Sequence, residues 1–260
     1  MRRRVKVYFQ GSISQILLIY YKCNVFFSPA ESSVAIKTGG CFTGHGTVTV
    51  ENLGTVTMSD VRVGDRVLSM RSDGVLEYSD VIAFMDRDDL GYGLFYTIHT
   101  ESGKHLTLTG KHLVYTIKQN SSRSVNDAEL VFAESVRRGQ YLLLGDKDSL
   151  IATEITDIST ATQRGIYAPL TKHGTIIVDG LVASCYAYIN NIALAHSVFA
   201  PIRAYYDISQ YLSTFYSAPE AEVSPSYRNS TDLPVGMHWY AHALYSVGTK
   251  LFSKDTLFVH

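Results

Sequence analysis

The sequence predicts an all-β domain woven from two halves and followed by a small helical region, on three observations. Short valine-centred runs begin at Val48, one motif recurs 75 residues further on, and after Asn191 the apolar spacing becomes helical. The 260 residues, 46% hydrophobic and 18% charged, are enough for one large domain or a domain with an appendage. Such a composition excludes a disordered chain. With 23 basic against 24 acidic side chains it also excludes a strongly basic nucleic-acid binder, so no nucleic-acid partner is expected. The apolar run 16–21 stops at Lys22, far short of the ~18 residues that a spanning helix needs.

Residues 1–30 read unlike the rest, with Arg2-Arg3-Arg4, a short apolar run and then Phe26-Phe27-Ser28-Pro29. That order has the outline of a secretory signal, but the run is too short and no small-residue cleavage site follows it. From Val48 onward, Val50, Val56, Val61, Val63, Val67 and Val81 stand between Gly, Asn, Asp and Ser, the pattern of strands joined by tight turns. Val61-Arg62-Val63-Gly64-Asp65-Arg66-Val67-Leu68 is echoed by Val136-Arg137-Arg138-Gly139-Gln140-Tyr141-Leu142-Leu143. Each copy reads as a turn at glycine feeding a strand; the alternative is chance likeness of two strand entries. A structural echo implies one intertwined β domain over residues 41–189, with 1–40 upstream and 190–260 behind it. In that last part Ala200-Pro201 opens a segment with Ile202, Tyr205, Leu212 and Phe215 at helical spacing. Residues 217–236, with Pro219, Pro225 and Pro234, read as a flexible link. A second stripe follows at Tyr240, Leu244, Val247 and Leu251. Two such stripes predict a helical hairpin lying on the core, with contact between a membrane interface and 196–216 and 238–252 as the other reading.

Three cysteines, Cys23, Cys41 and Cys185, are too few for a disulfide framework and have no metal-ligand spacing. Cys41 follows Gly39-Gly40, and glycines give the backbone freedom to bend a thiol back onto the carbonyl of Gly40 and form a thioester. The plainer reading is a small buried cysteine beside a turn. Self-attack needs a proton donor for the departing amide nitrogen, and a histidine suits that task. Thr109-Gly110-Lys111-His112 sets a hydroxyl and an imidazole three residues apart at the end of an alternating strand, although such pairs often only form turns. Asp86-Arg87-Asp88-Asp89 follows the apolar stretch 81–85 and offers a carboxylate to deprotonate an incoming hydroxyl, or else a solvated charged turn.

Together these residues resemble the Hedgehog C-terminal autoprocessing region. Gly40-Cys41-Phe42, Gly64-Asp65-Arg66-Val67-Leu68, Phe84-Met85-Asp86-Arg87, Thr109 with His112-Leu113, Ala168-Pro169-Leu170-Thr171, Gly174-Thr175-Ile176, Ala183-Ser184-Cys185-Tyr186-Ala187 and His238-Trp239-Tyr240 stand in that family's order. The resemblance covers residues 34–260 and implies a pseudo-two-fold Hint domain, shared with inteins, followed by a sterol-recognition region. It implies that Cys41 is the nucleophile on Gly40, that His112 assists departure of the Cys41 nitrogen, and that Thr109 polarises or holds the scissile peptide. Asp86 is implied to activate the hydroxyl of cholesterol, which displaces the thioester and leaves an ester on Gly40. Cys185 matches a second cysteine able to pair with the nucleophile before processing. Cholesterol enters as substrate, no metal or dissociable cofactor is implied, and the expected location is the endoplasmic reticulum and secretory pathway.

The family carries a long signalling domain upstream, whereas 40 residues precede Cys41 here and only 34–40 look family-like, so a short sterol-bearing product is expected. Protein splicing shares the first step but needs a terminal Asn followed by Cys, Ser or Thr; Asn190-Asn191 is followed by Ile192, and the sequence ends in Val259-His260. An ordinary cysteine peptidase or thioesterase would use the same Cys–His pair on other chains, and a partial gene product without activity in the cell is the other alternative. A non-catalytic β domain leaves the coincidence of Cys, Asp, Thr and His unexplained. Asn120-Ser121-Ser122 and Asn229-Ser230-Thr231 are N-glycosylation acceptor patterns in keeping with secretion.

Overall fold

A computed structural model describes residues 40–146, 149–187 and 196–216, together with Gly236, His238 and Tyr240. The leader with Cys23, the link 217–235, the stripe residues Leu244, Val247 and Leu251, and Asn229 lie outside the described residues.

The valine-centred runs form strands, and the echo is a repeated local structure. In the first copy β1 (Thr47–Val50) pairs with β2 (Gly54–Thr57), and a 3-10 turn at Met58–Asp60 leads into β3 (Arg66–Met70) and β4 (Leu76–Thr100). After β5 (His105–Thr109), the second copy follows the same order: β6 (His112–Ile117), β7 (Glu129–Phe132), a 3-10 turn at Ala133–Ser135, β8 (Tyr141–Asp146) and β9 (Ser149–Thr171). The likeness reaches individual hydrogen bonds. Arg62 N–H donates to Asp65 Oδ2 as Arg137 N–H donates to Gln140 Oε1, and Gly64 and Gly139 sit at φ values of 94° and 82°. Only glycine adopts that left-handed conformation without cost, so the Val-Arg-x-Gly pattern writes the turn directly. Two strands close the sheet, β10 (Thr175–Val178) and β11 (Leu181–Ala187).

The halves interlock through β4 and β9. Each pairs first with its own neighbour, β3 with the start of β4 and β8 with the start of β9, and the two then run antiparallel to each other. The sheet order is β10-β11-β6-β8-β9-β4-β3-β1-β2, with β5 on β4 and β7 on β6. This is the all-β, intertwined arrangement expected, but built on strands of 25 and 23 residues rather than on short ones alone. Consequently Asp86 and Arg87 belong to no solvated turn. They lie inside β4, 2% and 3% exposed. Arg87 donates to the carbonyls of Val61 and Ser59 and stacks its guanidinium over Phe84 and Tyr167, which compensates its burial.

Helix α1 (Ala200–Tyr216) confirms the helical segment and shifts its inner face. Ile202 joins the core and Tyr206 packs against it, whereas Tyr205 and Leu212, expected to share the inner stripe, are exposed. Tyr186 fixes the angle: it stacks on Phe199, and its hydroxyl accepts from Arg203 Nη1 at 3.1 Å and lies 2.8 Å from His196 Nδ1, so the helix docks by its first turns. Among the described residues no helix is long and apolar enough to cross a membrane.

Candidate active site

Gly40 and Cys41 enter between β5, β9 and the end of β11. Phe42 exchanges two backbone hydrogen bonds with Tyr167 of β9 at 2.8 and 3.1 Å, and the Cys41 carbonyl accepts from Thr109 N–H of β5 at 2.9 Å. A Cβ placed on Gly40 would stand 2.4 Å from Cβ of Ala187 and 3.3 Å from Cα of His112. The need for glycine here is therefore steric. Its Cα lies against two strand backbones, with no left-handed φ required.

Thr109 and His112 converge on this peptide group. The Cys41 N–H donates to Thr109 Oγ1 at 2.9 Å, so the threonine holds the nitrogen that would depart. Residues 109–112 are the tight connection from β5 to β6, which places His112 at the first position of β6, opposite Ala187. The imidazole is 1% exposed, lies 4.3 Å from the Phe42 ring and puts Nε2 2.7 Å from the Ser184 carbonyl oxygen. A carbonyl only accepts, so Nε2 carries the proton and Nδ1 is the lone-pair nitrogen of the neutral ring. That Nδ1 is buried with no hydrogen-bond partner among the described residues.

Burial sets the protonation states. The Cys41 thiol is fully buried and held well above its ordinary value by desolvation and by the nearby Asp86 carboxylate, so it is a thiol and needs a base. Burial pushes the His112 pKa down to about 4, against the upward pull of its contacts with the backbone of Ser184 and Cys41. A neutral imidazole is the available base.

The same shift has a consequence for stability. Between pH 6.5 and about 4 the unfolded chain takes up a proton that folded His112 refuses, so this group's contribution falls as pH drops through that window and is constant above it. The full swing is about 3 kcal/mol. Urea unfolding of a Cys41→Ala chain should lose stability across that window, and adding His112→Gln should flatten the loss. Equal slopes would mean that His112 is not buried neutral.

Asp86 reaches the site through a β-bulge. The register passes from Phe84↔Pro169 to Asp86↔Ala168, leaving Met85 as the extra residue opposite the proline, which lacks an N–H to donate. Tyr167 then pairs with Arg87 on one side and Phe42 on the other, which brings Asp86 beside the row that holds Cys41. Cys185 lies between Ser184 and Ala187, the two β11 residues that face His112 and Gly40. Burial raises its thiol to about 11, its Sγ is 3.5 Å from Thr171 Oγ1, and both cysteines are free.

Two features escaped the residue-by-residue reading. Ser184 and Ala187 complete the site as backbone and methyl neighbours, a role that no side-chain chemistry announces. The tail also touches the bulge: Gly236 exchanges backbone hydrogen bonds with Arg87, and His238 N–H donates to the Met85 carbonyl at 2.9 Å. Tyr240 reaches Val198 from there, its hydroxyl 2.6 Å from the carbonyl oxygen.

The family model described as the Hint module matches residues 29–253. Sonic hedgehog protein of Danio rerio is 40% identical over 244 residues, covering 92% of this chain and 56% of that protein. Indian hedgehog protein of Xenopus laevis is 36% identical, covering 88% and 53%, and protein hedgehog of Drosophila virilis 38% identical, covering 80% and 43%. The chain thus spans about half the length of these curated relatives. A solved mini-intein, Ssp DnaB variant M86, aligns with 56% of this chain and 92% of its own at 11% identity and a TM-score of 0.47, a likeness too loose to build on.

Proposed function

From the premise that this chain belongs to the Hint module family, we propose that it cleaves its own backbone between Gly40 and Cys41 through an internal thioester. The observation that carries the reading is the Cys41 amide, with its N–H on Thr109 Oγ1 and a neutral, buried His112 packed against Gly40. The Cys41 thiol gives its proton to Nδ1 of His112 as Sγ bonds to the Gly40 carbonyl carbon. The imidazolium then passes that proton to the Cys41 nitrogen as the C–N bond breaks, leaving a free amine and a Gly40 thioester.

The second step transfers the Gly40 acyl group to the hydroxyl of a sterol such as cholesterol. Asp86 takes the hydroxyl proton, the alcohol oxygen bonds to the thioester carbon, and the Cys41 sulfur leaves and is reprotonated. Its nearness to Cys41 supports that role. The tail supports a lipid substrate, since Tyr205, Ile208, Tyr211 and Leu212 of α1 offer exposed apolar surface, each Å2 covered being worth about 25 cal/mol. The hedgehog relatives and the exposed Asn120 acceptor pattern favour a secretory setting.

Removal of residues 192–260 tests the division of labour. Every contact named for Cys41, Thr109 and His112 comes from residues 40–187, so dithiothreitol-induced cleavage should persist. Thermal stability should fall, because Ile202 leaves the core and the bulge loses its backbone partners, and cholesterol-dependent cleavage should disappear. A shortened chain that still attached cholesterol would remove the tail from the sterol step.

A further inference from the structure

We propose that His99 and His105 form a two-point chelate for one divalent transition-metal ion of the zinc, copper and nickel class, at the outer end of the β4–β5 hairpin. The two residues are direct cross-strand partners. Thr100 N–H donates to the Lys104 carbonyl and closes the hairpin, which makes the next pair, His99 with His105, a non-hydrogen-bonded one whose side chains approach closely. Thr97 and Thr107, the equivalent pair one step further along the same face, have hydroxyls 3.1 Å apart.

The ring geometry suits one shared ion. Two imidazole nitrogens at about 2.0–2.1 Å from a metal put their ring centroids about 5–6 Å apart. The observed separation is 5.9 Å with 36° between the planes. Nε2 of His99 is 3.5 Å from Ser159 Oγ, the far limit of a hydrogen bond, so little is lost if that nitrogen turns to a metal.

Both rings line a polar cleft of about 270 Å3 that His45, Gln163 and Asp179 also border, leaving room for a hydrated ion. Oδ1 of Asp179 accepts from Thr47 N–H and Oγ1–H and anchors the cleft wall. Among the described residues no three or more His, Cys, Asp or Glu side chains are grouped to hold a metal, so solvent completes the coordination sphere. Nitrogen donors select borderline transition metals over magnesium or calcium, which take oxygen. Since β5 ends at Thr109, a bound ion would pin the hairpin whose other end holds the Cys41 nitrogen.

Calorimetric titration with Zn2+ tests this on the full Cys41→Ser chain, which lacks the competing nucleophilic thiol. We expect His99→Asn and His105→Asn each to weaken the hairpin site at least tenfold, and the double variant to bind no more tightly than either single one. Binding as tight in either single variant as in the parent would overturn the assignment. A second readout does not depend on the variants: the paramagnetic resonance spectrum of bound Cu2+ should show coupling to two imidazoles, and coupling to one or none would overturn it equally.

Discussion

Cys41→Ala should release no 1–40 fragment under dithiothreitol, whereas the parent chain should split into two pieces that intact-mass analysis resolves. Alanine offers the Gly40 carbonyl no nucleophile. His112→Ala removes the proton carrier and leaves the nucleophile in place. Since positioned acid–base groups contribute about 10²–10⁴-fold, cleavage there should slow by that factor and keep its dependence on Cys41. Release of the fragment from Cys41→Ala at the parent's rate would end the self-cleavage reading. Loss of cleavage in His112→Ala with an unchanged unfolding temperature would separate chemistry from folding, because the imidazole also fills a buried place against Phe42.

Much of this site was legible because its residues declare themselves locally. Gly64 and Gly139 occupy positive-φ turns, so the repeated motif predicted repeated structure from chain conformation alone. Thr109 and His112 flank one tight connection, and their spacing foretold that both would be presented together. What stayed hidden depends on contacts distant in sequence. Asp86 stands in a charged run that reads as a turn, and only the pairing of β4 with β9 draws the strand through it and buries the carboxylate. Gly40 suggested backbone freedom, yet its reason is Ala187, 147 residues on, whose methyl occupies the space of a side chain. The stripe in α1 gave the period but not the phase, because the inner face is chosen by where Tyr186 and Phe199 stack.

Asp86→Ala should separate the two proposed steps. In the proposed first step the proton passes from the Cys41 thiol to His112 and on to the Cys41 nitrogen, and Asp86 carries none of it. Removal of the carboxylate also removes a negative charge that raises the Cys41 thiol, so thioester formation should be no slower than in the parent. Cleavage by hydroxylamine, a small strong nucleophile that needs no enzymic base, should therefore persist. Cholesterol-dependent cleavage should fall by about 10²-fold or more, the ordinary loss for a missing general base. Asp86→Asn keeps the shape at the bulge while removing the charge, and it should reproduce the same split. If both variants lost hydroxylamine and cholesterol cleavage together, with the unfolding temperature lowered, Asp86 would be holding β4 against β9 rather than taking a proton. If cholesterol cleavage survived in Asp86→Asn, the hydroxyl would find its base elsewhere and the proposed second step would fall.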